Sequence, residues 1–147
     1  MLSIADSELL ARFPDTWINH DNKEFYRGWL RRELVLNRCE QCGRWDTPPK
    51  PICPACWSDR LRPTAVSGNG TIHLLVRLRQ GPPVDGVDYT AGHPVATVEL
   101  AEQPGLRFTS TVVDADVDTL AIGDPVELTW IERHGEPFPA FRIARTS

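Results

Sequence analysis

Long apolar runs are missing from this sequence. None approaches the ~20 residues a membrane-spanning helix needs, so no such span is expected. The opening residues, Met1-Leu-Ser-Ile-Ala-Asp6, have neither a basic stretch nor a long apolar core. That argues against a secretory leader and for a cytoplasmic protein. Lysine is nearly absent, with Lys23 and Lys50 against fourteen arginines, and cationic excess is absent altogether. The net charge is −4 and the isoelectric point near 5.5. A protein that grips nucleic-acid phosphates normally carries a clustered cationic footprint, so this balance speaks against one. Cysteine is also scarce, and its distribution is informative.

All four cysteines fall in one stretch, Cys39-Glu-Gln-Cys42 and, after ten intervening residues, Cys53-Pro-Ala-Cys56. Two C-x-x-C pairs so spaced form two short knuckles whose sulfurs can converge on one tetrahedral metal. A closed four-cysteine site leaves no coordination position for substrate, so the reading is a structural metal, zinc first. Iron in a rubredoxin-like site would use the same ligands. Disulfides would need an oxidising compartment, of which the chain shows no sign. Gly43 follows the first knuckle, where a tight turn needs tolerance of positive φ.

The remaining numbers describe an ordinary soluble globular chain, 41% hydrophobic and 24% charged over 147 residues, enough for one domain or two small ones. Residues 1–32 read as a helical segment. Asp6 or Ser7 can cap a first helix carrying Leu9, Leu10 and Phe13, which Pro14 ends. A second helix from about Asp21 or Asn22 to Arg32 places Phe25 and Trp29 at i, i+4, with Tyr26 and Leu30 beside them. Gly28 weakens this helix, so packing must hold it. Trp17, Phe25, Tyr26 and Trp29 are many aromatics for so short a segment. They pack on the metal module, anchor a partner protein through Trp17, Phe25 and Trp29, or do both.

Residues 33–62 form the metal module. Leu34 and Leu36 alternate with Glu33, Val35 and Asn37 in a short strand, and Thr47-Pro-Pro-Lys-Pro51 must be a loop. Residues 63–147 then show short alternating strands with glycine, proline and aspartate breaks. Ile72, Leu74, Val76 and Leu78 fall on one face of the first, Gln80–Gly92 is a long loop, and the last strand covers about residues 140–144. Five short antiparallel strands fit a small closed barrel better than an open sheet, since closure removes exposed edges. The expected fold is mostly β: N-terminal helices, a zinc ribbon, then a five-stranded OB-fold.

The order of these parts resembles a known family. The aromatic helix, Glu33-Leu34, Cys39-x-x-Cys42-Gly43, Pro48-Pro49, Cys53-Pro54-x-Cys56 and Ser67-Gly68-x-Gly70-Thr71 come in sequence. Pro94-Val95-Ala96-x-Val98-Glu99-Leu100 and Leu120-Ala-Ile-Gly123-Asp-Pro-Val126 follow. The pattern, from about residue 20 to 143, is similar to the acyl-CoA-associated proteins with a rubredoxin-like zinc ribbon and an OB-fold, known as domain of unknown function thirty-five. The resemblance implies an accessory subunit of a thiolase-like enzyme, either a thiolase of lipid metabolism or an aldolase that shortens steroid side chains. It would help form the acyl-CoA site while the partner supplies the catalytic residues. No short motif identifies residues contacting CoA.

A self-contained active site is not visible. His20, His73, His93 and His134 fall in separate segments without motif spacing, and the four thiols are assigned to the metal. Asp114, Asp116 and Asp118 lack the glycine and glutamate of a calcium loop, so they read as a solvated acidic turn. The competing function is a nucleic-acid-binding ribbon and OB-fold module. The barrel strands between residues 64 and 113 hold only Tyr89 and Phe108 as stacking aromatics. Arg77, Arg79 and Arg107 form a small basic patch at most, equally suited to CoA phosphates.

Overall fold

The computed structural model describes residues 4–144, which divide into two units, one ending at Val66 and the other beginning at Ser67. Among the described residues no helix is long and apolar enough to cross a membrane.

The first unit opens with helices α1 (Asp6–Arg12) and α2 (Lys23–Leu30). Neither has a side-chain cap. Ala5 occupies the cap of α1, while Asp6 ion-pairs with Arg27 and Lys23. Arg27 is only 7% exposed; its guanidinium meets both Asp6 and Glu24, and its Nε donates to the Ile4 carbonyl at 3.1 Å. A buried cation needs such partners, so this arginine ties the two helices together. Asn22, the cap position of α2, instead orders the turn before it. It accepts from the Asn19 amide at 2.7 Å and donates to the Trp17 carbonyl at 2.9 Å.

Helix α2 stops two residues before the expected end at Arg32. Arg32 is left-handed at φ 58°, and the Glu33 amide turns back to the Gly28 carbonyl at 2.9 Å. Gly28 makes this return possible, because a Cβ there would lie 2.7 Å from the Glu33 oxygen and 2.8 Å from Val35 Cγ2. The chain then enters β1 (Val35–Cys39), flanked antiparallel by β2 (Trp45–Asp46) and β3 (Leu61–Ala65) in the order β2-β1-β3. Leu34, Val35 and Leu36 are all buried. The simple alternation expected here fails, because α2 covers the face that Val35 would otherwise show to water.

The second unit holds five strands: β4 (Asn69–Leu78), β5 (His93–Leu100), β6 (Arg107–Ser110), β7 (Pro125–Arg133) and β8 (Glu136–Ile143). All neighbours are antiparallel in the order β6-β5-β4-β7-β8. The ends of this sheet then meet. Phe141 donates to the Thr111 carbonyl at 2.9 Å, Val113 donates back to Phe141 at 2.8 Å, and Val112 bridges Phe141 in parallel. A curled sheet whose third and fifth strands join in parallel is the expected OB-fold. Ile72, Val98, Leu100, Val126 and Phe141 fill it.

Two details depart from the sequence reading. Ile72 pairs with Val98 but Leu74 with Thr97, so His73 is an extra residue, a β-bulge. A one-residue slip exchanges the faces of a strand. Ile72 therefore enters the core, whereas Leu74, Val76 and Leu78 point outward at 56%, 54% and 40% exposure. Strand β8 also begins at Glu136, not near residue 140. A two-residue turn, His134-Gly135, with both φ positive at 54° and 79°, closes the β7–β8 hairpin. Pro137 and Pro139 are tolerated because β8 ends the sheet order, and an edge strand can spare their missing amides.

Candidate metal centre

The two knuckles are built alike. In the first, the Cys39 amide donates to the Arg44 carbonyl at 2.8 Å and the Gly43 amide returns to the Cys39 carbonyl at 2.9 Å. In the second, Cys53 donates to Ser58 at 2.8 Å and Trp57 returns to Cys53 at 2.8 Å. Each turn needs a left-handed residue at its fifth position. Gly43 supplies φ 79° as expected, but the second knuckle uses Trp57 at φ 65°. A side chain in that region costs roughly 1–2 kcal/mol.

This repetition brings Cys39, Cys42, Cys53 and Cys56 together, all four sulfurs lying within 4.8 Å of one another. Cys39 and Cys56 are 3.6 Å apart, as are Cys42 and Cys53. A tetrahedron with metal–sulfur bonds of about 2.3 Å has edges of about 3.8 Å, so these spacings fit a single metal. The cysteines are free thiols, not disulfides.

The electrostatics agree with a cation. The Cys42 and Gln41 amides pull the Cys39 thiol down to about 6, opposed by burial. The Cys56 and Ala55 amides likewise lower Cys53. At Cys56 the Ser58 amide favours the thiolate, but burial and the three neighbouring sulfurs overcome it and push the thiol up to about 12. Four thiolates this close repel one another, and a divalent ion removes the repulsion. The all-sulfur set is soft, which suits zinc or iron.

Trp17 is 83% exposed. Phe25 and Trp29 instead join a half-buried aromatic cluster, with ring centroids 5.6 Å apart and Trp29 4.9 Å from Tyr26 and 5.9 Å from Phe13. The second knuckle adds an exposed aromatic that sequence reading passed over, Trp57, 78% exposed, with Ile52 exposed on the same knuckle. Its signal in the sequence was position: it stands where Gly43 stands in the first knuckle. The histidines remain dispersed. Burial, then the charge of Arg133, pushes His93 below its ordinary value, and the amide of His134 donates to Asp85 at 3.2 Å. Arg77 of the expected basic patch donates to the Val117 and Leu120 carbonyls, and Arg107 pairs with Glu99 at 3.5 Å.

Comparison with known proteins bears on ribbon and barrel separately. Residues 27–62 match the rubredoxin-like zinc ribbon domain of ChsH2, and residues 63–130 match the C-terminal OB-fold domain of ChsH2. A DUF35 domain-containing scaffold protein of Methanothermobacter thermautotrophicus is 38% identical over 72% of this chain and 79% of its own length. The chain belongs to the DUF35 family. This DUF35 chain is also 34% identical to a probable enoyl-CoA hydratase alpha subunit of Thermomonospora curvata, over 89% of the chain but 40% of that protein. It thus spans well under half of that longer relative. Among solved structures, the Ltp2-ChsH2(DUF35) aldolase superposes with a TM-score of 0.78 at 32% identity, covering 88% of this chain and 99% of that one. A Sulfolobus solfataricus DUF35 protein, 9% identical with a TM-score of 0.59, shares the fold.

Proposed function

We propose that this chain is a non-catalytic accessory subunit. It binds a thiolase-fold enzyme, a thiolase or an aldolase acting on an acyl-CoA such as a steroid side-chain thioester, and helps form the acyl-CoA site. The observation that carries this reading is the likeness, over nearly its whole length, to the DUF35 chain of the Ltp2-ChsH2 aldolase. Residues 1–32, 33–62 and 63–147 act as helical segment, ribbon and OB-fold in a cytoplasmic complex. Cys39, Cys42, Cys53 and Cys56 hold one structural zinc, with iron the alternative for the same donors. The metal supplies folding free energy to the knuckles; the chain's own backbone amides orient the thiolates that receive it.

Trp17 and Trp57 are the best-placed anchors, because large exposed aromatics commonly dominate interface energetics. Phe25 and Trp29 contribute from their own half-buried aromatic cluster. The test is affinity purification from the native host, followed by reconstitution with any thiolase-like protein recovered. A stable hetero-oligomer with gained carbon–carbon lyase or acyltransferase activity supports the proposal. If no such protein binds, it is wrong. Trp57→Gly sharpens the test: it should relieve backbone strain in the isolated chain while weakening the complex at least tenfold. Unchanged affinity would remove Trp57 from the interface.

A further inference from the structure

The ribbon is charged unlike the rest of the chain. Residues 33–62 carry five basic side chains against four acidic ones, a surplus of one in a protein whose net charge is −4. Sheet pairing places two of these cations directly opposite each other, Arg38 of β1 against Arg62 of β3. Like charges facing each other across an antiparallel pair are unfavourable. Arg62 has no ion pair among the described residues to offset this.

Arg38 is held in place. Its Nε donates to the Gly43 carbonyl at 3.2 Å, and its guanidinium lies over the Trp45 ring, 5.2 Å from the centroid. Trp45 is itself opposite Arg38 on β2, so Trp45, Arg38 and Arg62 form one row across all three strands. Beside this row runs a groove of about 610 Å³, lined by both arginines with Gly43, Pro63, Thr64 and one carboxylate, Glu40. That volume is in the range of small-molecule sites. Both arginines line this groove with a single acid among its lining residues, and guanidinium is the side-chain group best suited to phosphate oxygens.

We propose that the Arg38–Arg62 row binds the phosphate groups of a small phosphorylated ligand. On the function proposed above, these are the phosphates of the acyl-CoA itself. The site then lies on the ribbon, and the barrel arginines Arg77 and Arg107 are committed elsewhere.

Calorimetric titration of the intact, metal-loaded protein at about 50 mM salt tests this. Pyrophosphate and CoA should both bind, more weakly as salt rises, whereas pantetheine should not. Arg62→Ala should weaken CoA binding about tenfold or more, since a charge-assisted bond to phosphate is lost. Arg62→Glu should abolish it. Arg107→Ala should leave it unchanged. Arg62 is exposed, so these variants should fold, and retained metal checks that they do. No heat with pyrophosphate or CoA, or full binding by Arg62→Glu, overturns the site. So does an oligonucleotide binding more tightly than CoA. Loss of the thiolase-like partner in Arg62→Glu without any phosphate binding would show a protein contact instead, and overturns it too. Pyrophosphate binding is read on the isolated chain, so its outcome is separate from whether a partner enzyme is found.

Discussion

The two units are stabilised by different means. The OB-fold unit buries an aliphatic and aromatic core, with Ile72, Val98, Leu100, Val126 and Phe141 each at most 2% exposed, and ties its sheet ends together through Phe141. The ribbon unit buries Leu9, Leu34, Val35 and Leu36 under two short helices. Its cysteine knuckles have little apolar filling beyond Trp45 and the sulfurs themselves. Small modules of this kind cannot cover enough apolar surface, so metal binding does the stabilising. One chain thus joins a unit held by apolar burial to a ribbon held largely by its cysteine centre.

The largest effect should come from removing the metal. Chelation, or Cys39→Ser, should unfold the ribbon while the spectrum of residues from Ser67 onward persists in two-dimensional NMR. Structural zinc in comparable modules contributes about 10–16 kcal/mol. Cooperative loss of both units, or less than half an equivalent of zinc or iron in fresh protein, would break the distinction. The converse change is Phe141→Ala, which empties the space of a fully buried aromatic side chain in the barrel core. Such truncations cost about 3–5 kcal/mol. Urea melts should show the barrel transition moving while the ribbon keeps its metal.

A smaller effect is expected at Gly28. Alanine should favour helix α2 by up to about 1 kcal/mol. The added Cβ would meet the Glu33 backbone oxygen at 2.7 Å, and overpacking of this sort costs about 1–3 kcal/mol. The clash should win, lowering ribbon stability, and a raised melting temperature for Gly28→Ala would refute that packing. The smallest effect belongs to His93 in the barrel. Burial and Arg133 lower its folded value below the ordinary 6.5, so the folded state prefers the neutral ring. Its contribution is fully present above about pH 6.5 and declines as pH falls through the lowered folded value. His93→Gln should flatten that part of the barrel's pH–stability curve; an identical curve would show that His93 does not contribute.

Much of the candidate site was legible because its determinants are local. The two C-x-x-C pairs, Gly43 and the Pro48-Pro49 loop specify knuckles by spacing and allowed φ alone. The strands of the barrel also followed from alternation and turn residues. Reading failed where a distant contact overrode a local pattern. Asp6 looked like a helix cap until Arg27 claimed its carboxylate. Val35 looked solvent-facing until α2 covered it. Pro137 and Pro139 hid the first half of β8, because only the sheet order shows that this strand lies at the edge.

Residue type and short spacing were enough for the four-cysteine cluster and the ribbon-then-barrel order, and the chain spells neither a glycine-rich phosphate loop nor a calcium motif. Tertiary structure decided which apolar residues face water and which charges meet. The bulge at His73 turned Leu74, Val76 and Leu78 outward, because one extra residue in a period of two reverses every side chain after it. Strand pairing set Arg62 opposite Arg38, twenty-four positions apart, a juxtaposition that no local pattern in the chain encodes.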